Sequence, residues 1–186
     1  MKIKICGTND AVFAAEAVRL GVDYLGFIFE PSSPRYVTVE NAAEIVSSLS
    51  ASLRRRVRLV GVFVRETPTE IDATMRRAGL DVVQLHRRAT EGDVAALKAA
   101  GYEVWTLAGG AEGDGVLFDS SHGDGDTAFR KGNFKSIIAG RIGVENVADA
   151  IALKPDVIDV NSSLETAPGV KSTILLAGFL AKINYV

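Results

Sequence analysis

Few residues in this chain have side chains suited to chemistry, and they fall at regular places. The only cysteine is Cys6, followed at once by Gly7. Ser33-Pro34-Arg35-Tyr36 offers a guanidinium, Gln84-Leu85-His86 an imidazole and Phe118-Asp119 a carboxylate. Ala139-Gly140-Arg141 and Asp159-Val160-Asn161-Ser162-Ser163 add a second carboxylate together with glycine, serine and arginine. Thiols, imidazoles and carboxylates are the side chains that move protons in catalysis. A guanidinium grips a carboxylate through two parallel hydrogen bonds, which lysine cannot reproduce. Glycine lets a backbone approach an anion closely. The available chemistry is proton transfer beside an anion-binding loop, provided the fold brings these groups together.

Each group stands at or just beyond the end of a short apolar run. Residues 2–6 (KIKIC), 24–29 (YLGFIF) and 57–64 (VRLVGVFV) read as strands. The second is apolar throughout, as expected of a strand buried on both faces. Val82–Leu85, Glu103–Leu107, 116–118, 136–139 and Val157–Val160 continue the series to eight. Helical spacing lies between them over residues 11–20, 39–49, 68–77, 90–100 and 144–153, with a last helix over 170–183. Asn9 or Asp10, Thr38 and Thr67-Pro68 are start signals; Gly21, Gly79 and Gly101 are stops. Strands separated by helices argue for a parallel sheet, and right-handed crossovers of steady period let it close. The expected fold is a (β/α)8 TIM barrel, as a single domain over residues 1–186. Such barrels run to about 250 residues, with about 200 a usual lower bound, so this one is trimmed. Residues 108–115 (AGGAEGDG) are too short and glycine-rich for a helix, so the helix after strand five is expected to be missing. In a parallel barrel function gathers at the C-terminal ends of the strands. The thiol, guanidinium, imidazole and carboxylates would then share one mouth.

The composition fits that picture and excludes others. Of 186 residues, 47% are hydrophobic and 24% charged, and 21 Lys plus Arg against 23 Asp plus Glu leave a net charge of −2. That balance gives no electrostatic case for nucleic acid or an acidic membrane. Arg54-Arg55-Arg56 with Arg58 enters strand three at the bottom of the barrel and reads as solvated surface. No apolar run approaches the roughly 20 residues that span a bilayer. The opening MKIKICG has no signal-peptide pattern. One cysteine leaves no disulfide framework or multi-cysteine zinc site, so a cytoplasmic setting is the default. Gly123-Asp124-Gly125-Asp126-Thr127-Ala128 fits a G-x-G-x-x-A pattern, but its two aspartates would repel a pyrophosphate and no crossover unit of suitable size follows. Asp114, Asp124 and Asp126 lack the spacing of a calcium loop. Neither a metal nor a redox cofactor is expected.

Motifs along nearly the whole chain resemble the phosphoribosylanthranilate isomerase family of tryptophan biosynthesis. They are Lys4-Ile5-Cys6-Gly7, Gly26-Phe27-Ile28-Phe29 running into Ser33-Pro34-Arg35-Tyr36-Val37, Val60-Gly61-Val62-Phe63-Val64 and Asp81-Val82-Val83-Gln84-Leu85-His86. Leu117-Phe118-Asp119-Ser120, Glu145-Asn146-Val147, Asp159-Val160 and Pro168-Gly169-Val170-Lys171 follow in the family's order. The resemblance implies an Amadori rearrangement, which turns an aminoaldose into an aminoketose and needs no cofactor. A general acid must protonate the furanose ring oxygen, and a general base must then take the C2 proton of the Schiff base. The resemblance assigns the base to Cys6 and the acid to Asp119. A nearby cation can bring a thiol toward neutrality, and a desolvated aspartate can keep some acid form at neutral pH. Arg35 matches the arginine that holds the anthranilate carboxylate, with His86 and Asp159 also at the substrate. The phosphate falls to the loops holding Gly140 and Arg141 and holding Ser162 and Ser163. The implied partner is a small phosphorylated substrate, with no nucleic acid or membrane, and the chain is expected as monomer or homodimer.

Several positions depart from the family. Ala139-Gly140-Arg141-Ile142 stands where it usually has Ala-Gly-Gly-Leu, and Ser162-Ser163-Leu164-Glu165 where it has Ser-Gly-Val-Glu. Arg141 and Ser163 either add a charge and a hydroxyl to phosphate binding or weaken it and alter the substrate. Gly123-Asp124-Gly125-Asp126 replaces a glycine-and-threonine loop, and Leu85-His86-Arg87 replaces Leu-His-Gly. Plainer roles stand beside each assignment: Cys6 as an inert core residue, Asp119 as a turn cap, Arg35 as a solvated loop residue, His86 as a hydrogen-bonded strand end. An isomerase of another phosphorylated aminosugar and a non-catalytic barrel that binds a phosphorylated ligand remain as alternatives. A pure binder has no need of both Cys6 and Asp119 at one mouth.

Overall fold

The computed structural model describes residues 1–121 and 128–184. Eight parallel strands close into a barrel in sequence order: β1 Lys2–Ile5, β2 Tyr24–Ile28, β3 Arg58–Phe63, β4 Val82–Leu85, β5 Glu103–Leu107, β6 Gly115–Asp119, β7 Lys135–Ala139 and β8 Val157–Val160. Closure is made by β1 against β8, with Lys2 opposite Val157 and Ile5 opposite Val160. Helices α1 Ala11–Arg19, α2 Val39–Ser48, α3 Ala51–Arg54, α4 Pro68–Ala78, α5 Glu91–Ala99, α6 Val147–Ala152 and α7 Thr173–Asn184 accompany the barrel. Among the described residues no helix is long and apolar enough to cross a membrane.

The punctuation expected from the sequence operates as chemistry. Asp10 caps α1 by accepting from the Phe13 N–H at 2.7 Å. Thr67 and Glu70 form a reciprocal capping box on α4, and Gly79 ends it in the left-handed conformation at φ 68°. Thr90 and Asp93 repeat the box on α5.

Side chains alternate across each strand. One set faces the helices and joins the large core with Phe13, Phe27, Phe63, Leu97 and Phe179. The other forms a second cluster that includes Tyr24, Val60, Trp105, Leu117 and Val157. Tyr24 and Trp105 meet edge to face, 4.9 Å between ring centres. Gly115 makes room for the indole, since a Cβ there would lie 2.7 Å from Trp105 Cδ1.

No helix joins β5 to β6. The link lies flat on the barrel wall: the Ala111 N–H donates to the Ala89 carbonyl at 2.9 Å and that of Asp114 to the Val104 carbonyl at 2.7 Å. A Cβ on Gly113 would stand 2.2 Å from the Val104 oxygen, so the glycines permit this close path.

Two expectations need correction. The helix expected over 144–153 shrinks to Val147–Ala152. Asn146 Oδ1 accepts from the Gly143 N–H at 2.8 Å, making a turn before the helix begins. The last helix starts at Thr173, because Val170–Lys171 (β10) pairs antiparallel with Glu165–Ala167 (β9). A short helix that the sequence did not announce, α3, ends at the first residue of the basic cluster; Arg55 and Arg56 are exposed, while Arg54 pairs with Asp81 at 2.6 Å and Arg58 with Glu103. The G-x-G-x-x-A pattern and the Gly123-Asp126 loop lie outside the described residues.

Candidate active site

The ends of β1, β2, β3, β4, β6, β7 and β8 and the loops after them surround a cavity of about 520 Å³ at the C-terminal mouth. Cys6, Arg35, His86, Asp119, Gly140, Arg141, Asp159 and Ser162 all line it. Ser163 does not line it; its hydroxyl donates to the Ile142 carbonyl at 2.5 Å and ties the two end loops together.

Cys6, the residue after β1, is nearly buried, and Lys4 lies two residues earlier with its side chain on the same side. A Cβ on Gly26 would sit 3.2 Å from both Cys6 Sγ and Lys4 Cε, so the glycine opens the space these two side chains share. Lys4 Nζ, wholly buried, donates to Asp159 Oδ2 at 2.7 Å. Burial pulls the ammonium down, but Asp159 and the thiol beside it more than offset this, and Lys4 stays above its ordinary value. The cation expected near the thiol is therefore present, yet its effect is outweighed. Burial pushes Cys6 above its ordinary 9.0, against Lys4 and Lys171. Among the described residues Asp159 Oδ1 is buried without a hydrogen-bond partner.

Asp119 closes β6 on the same cavity. Its Oδ1 accepts from the Ser121 N–H at 2.8 Å and hydroxyl at 2.6 Å. Its Oδ2 lies 3.8 Å from His86 Nε2. Gln84 Nε2 lies 3.3 Å from His86 Nδ1 on the ring's other side.

Arg35 lies in the loop after β2, its stem packed over Gly7, where a Cβ would come 2.9 Å from Arg35 Cδ. Its Nε and Nη2 donate to the two Glu165 oxygens at 2.8 and 2.7 Å. Lys171 adds a third donor to Glu165 at 2.7 Å and holds Asn161 through its carbonyl and Oδ1. Burial opposes these bonds, but they hold the Glu165 carboxyl down at about 2.

On the β7 loop, Gly140 has φ 105° and Arg141 φ 52°. Arg141 thus adopts the conformation that favours glycine, at a cost of about 1 kcal/mol. Gly140 has no such latitude, because a Cβ there would meet Ser120 Oγ at 2.2 Å. Gly140→Ala is expected to destabilise the fold by about 3 kcal/mol. A thermal melt should then show a midpoint about 6–12 °C lower; an unchanged midpoint would mean the loop relaxes freely.

Lys4, Gln84, Ser121, Glu165 and Lys171 had no role assigned from the sequence. The alternation in KIKIC already carries the signal for Lys4, since residues two apart share a strand face. For Glu165 and Lys171 the signal is Pro168-Gly169 between opposite charges, a turn that pairs them across a hairpin.

The sequence model of N-(5'-phosphoribosyl)anthranilate (PRA) isomerase matches residues 3–182. The N-(5'-phosphoribosyl)anthranilate isomerase of Granulibacter bethesdensis is 33% identical, with 98% of both chains covered. The crystal structure of phosphoribosyl anthranilate isomerase from Thermus thermophilus superposes with a TM-score of 0.86 at 29% identity, over 100% of this chain and 99% of that one. Another isomerase, solved with reduced 1-(o-carboxyphenylamino)-1-deoxyribulose 5-phosphate, gives 0.83 at 26% identity over the full length of both. Its ligand is a small phosphorylated molecule bearing an aromatic carboxylate. End-to-end agreement in sequence and in barrel architecture leads to one assignment: the chain belongs to the N-(5'-phosphoribosyl)anthranilate isomerase family.

Proposed function

We propose that this protein isomerises N-(5-phosphoribosyl)anthranilate to 1-(2-carboxyphenylamino)-1-deoxyribulose 5-phosphate, the family's step in tryptophan biosynthesis, in the cytoplasm. The observation that carries the reading is a thiol just past β1 and a carboxyl at the end of β6 lining one sugar-sized cavity. Asp119 Oδ2 delivers a proton to the furanose ring oxygen, and the C1–O bond breaks to give the protonated Schiff base. Cys6 Sγ removes the C2 proton, and its electron pair forms the C1–C2 double bond of an enolamine. Protonation at C1 and loss of the C2 hydroxyl proton give the ketone, so the product is an isomer of the substrate.

Arg35 receives the anthranilate carboxylate, and the Gly140–Arg141 and Ser162 turns receive the phosphate. Ser163 acts by bracing these turns, given its bond to Ile142. His86 faces the proton donor, and Asp159 keeps Lys4 beneath the thiol. The purified protein should abolish the fluorescence of N-(5-phosphoribosyl)anthranilate as product forms. Persistence of that fluorescence at the buffer rate would sink the assignment.

A further inference from the structure

A guanidinium has two edges that can take a carboxylate in a fork: the side edge of Nε and one Nη, and the end edge of the two Nη atoms. In Arg35 the side edge is already filled by Glu165. The end edge remains, on a residue that lines the cavity. We propose that Glu165 is a positioning residue for substrate discrimination: it holds Arg35 by the side edge so that the end edge meets the carboxylate of the substrate's aromatic ring. The inference rests on the reading of Arg35 as the carboxylate clamp.

The surroundings fit a device that stays in place while ligand binds. The Glu165 side chain is 4% exposed and that of Lys171 1%. The hairpin carrying both is anchored at its turn: Asn9 Nδ2 donates to the Gly169 carbonyl at 3.0 Å, and Gly169, at φ 81°, lies so close to the Arg35 loop that a Cβ would stand 2.4 Å from the Pro34 oxygen. Lys171 bonds Glu165 and Asn161 together, so one chain of contacts runs from the clamp to the turn beginning at Ser162. The two ends of the substrate are thereby read by parts braced against each other. Two cations and one anion also leave a single net positive charge, which matches one incoming carboxylate.

The test uses the purified protein, N-(5-phosphoribosyl)anthranilate and its carboxylate-free analogue N-(5-phosphoribosyl)aniline. The substitution Glu165→Asp keeps the charge but draws the carboxylate back by one methylene. It should raise KM for the anthranilate about tenfold and leave the aniline unchanged, so the preference between them shrinks about tenfold. Equal losses on both substrates, or an unchanged preference, would overturn the role of Glu165 while leaving the clamp intact. A wild type that shows no preference would instead remove the clamp reading, and this inference with it. A second measurement needs no variant. The Arg35 Nε–H resonance, assigned by its loss in Arg35→Lys, should remain slowly exchanging when the reduced product analogue binds. Its loss on binding would mean the ligand displaces Glu165, which overturns the proposal.

Discussion

Cys6→Ala is expected to lower kcat by about 10³-fold, within the usual range for one acid–base group, with little change in KM. The small KM effect follows from the proposed division of labour, in which Arg35 and the end loops, rather than the thiol, would receive the substrate's charges. Cys6→Ser should be nearly as slow, because an alcohol is far less acidic than a thiol and yields almost no alkoxide. The pH profile makes the expectation sharper. Burial holds the thiol above its ordinary 9.0, whereas the acid must carry a proton when the base does not. The active pair, thiolate with carboxylic acid, is then a minority population. Its fraction is constant between the two ionisations, because it and the dominant pair, thiol with carboxylate, hold the same number of protons. The profile of kcat/KM should be a broad plateau whose alkaline limb lies above 9.0. Titration of thiol reactivity with iodoacetamide should give the same limb. A limb near neutrality, or a Cys6→Ala variant with full turnover, would remove the thiol from the base role.

The readable and unreadable parts of this molecule divide by sequence distance. Strand and helix positions follow from local periodicity, and caps such as Asp10 and Thr67 act within four residues of themselves. The missing helix after β5 is legible for the same reason: a glycine-rich stretch is a local fact. The placement of Cys6, Asp119 and Arg35 at one mouth also follows, because strand order in a closed barrel turns sequence position into direction. What binds these residues does not. The Arg35–Glu165 pair joins positions 130 apart and the Lys4–Asp159 pair joins positions 155 apart. Both depend on closure of β1 against β8 and on the β9–β10 hairpin, whose two-residue strand is too short to leave a periodic mark. The state of the thiol is hidden on the same ground. A neighbouring cation can be inferred from alternation, but the burial that outweighs it is a property of the finished barrel. Arg141 is a different case. Its left-handed backbone is a strain that local preference argues against and the surrounding loop imposes.

Asp119→Asn is expected to cost kcat about 10³-fold as well, for a different step, and the two losses can be told apart. The amide oxygen can still accept from Ser121, whose N–H and hydroxyl hold Oδ1 in the native chain. The variant therefore keeps its geometry and loses only the transferable proton. Ring opening needs that proton; removal of the C2 hydrogen does not. With an amide in place of the acid, ring opening becomes the slow step, and a substrate carrying deuterium at C2 should react as fast as the protiated one. In Cys6→Ser the slow step is the C2 transfer itself, and the same label should give a full primary isotope effect. The double variant should be little slower than the slower single one, because two slowed steps in sequence add their times and do not multiply them. A full isotope effect in Asp119→Asn would mean that the carboxyl takes part in the C2 transfer rather than in ring opening. The roles of the two groups would then have to be exchanged, with the thiol serving the ring oxygen across the same cavity.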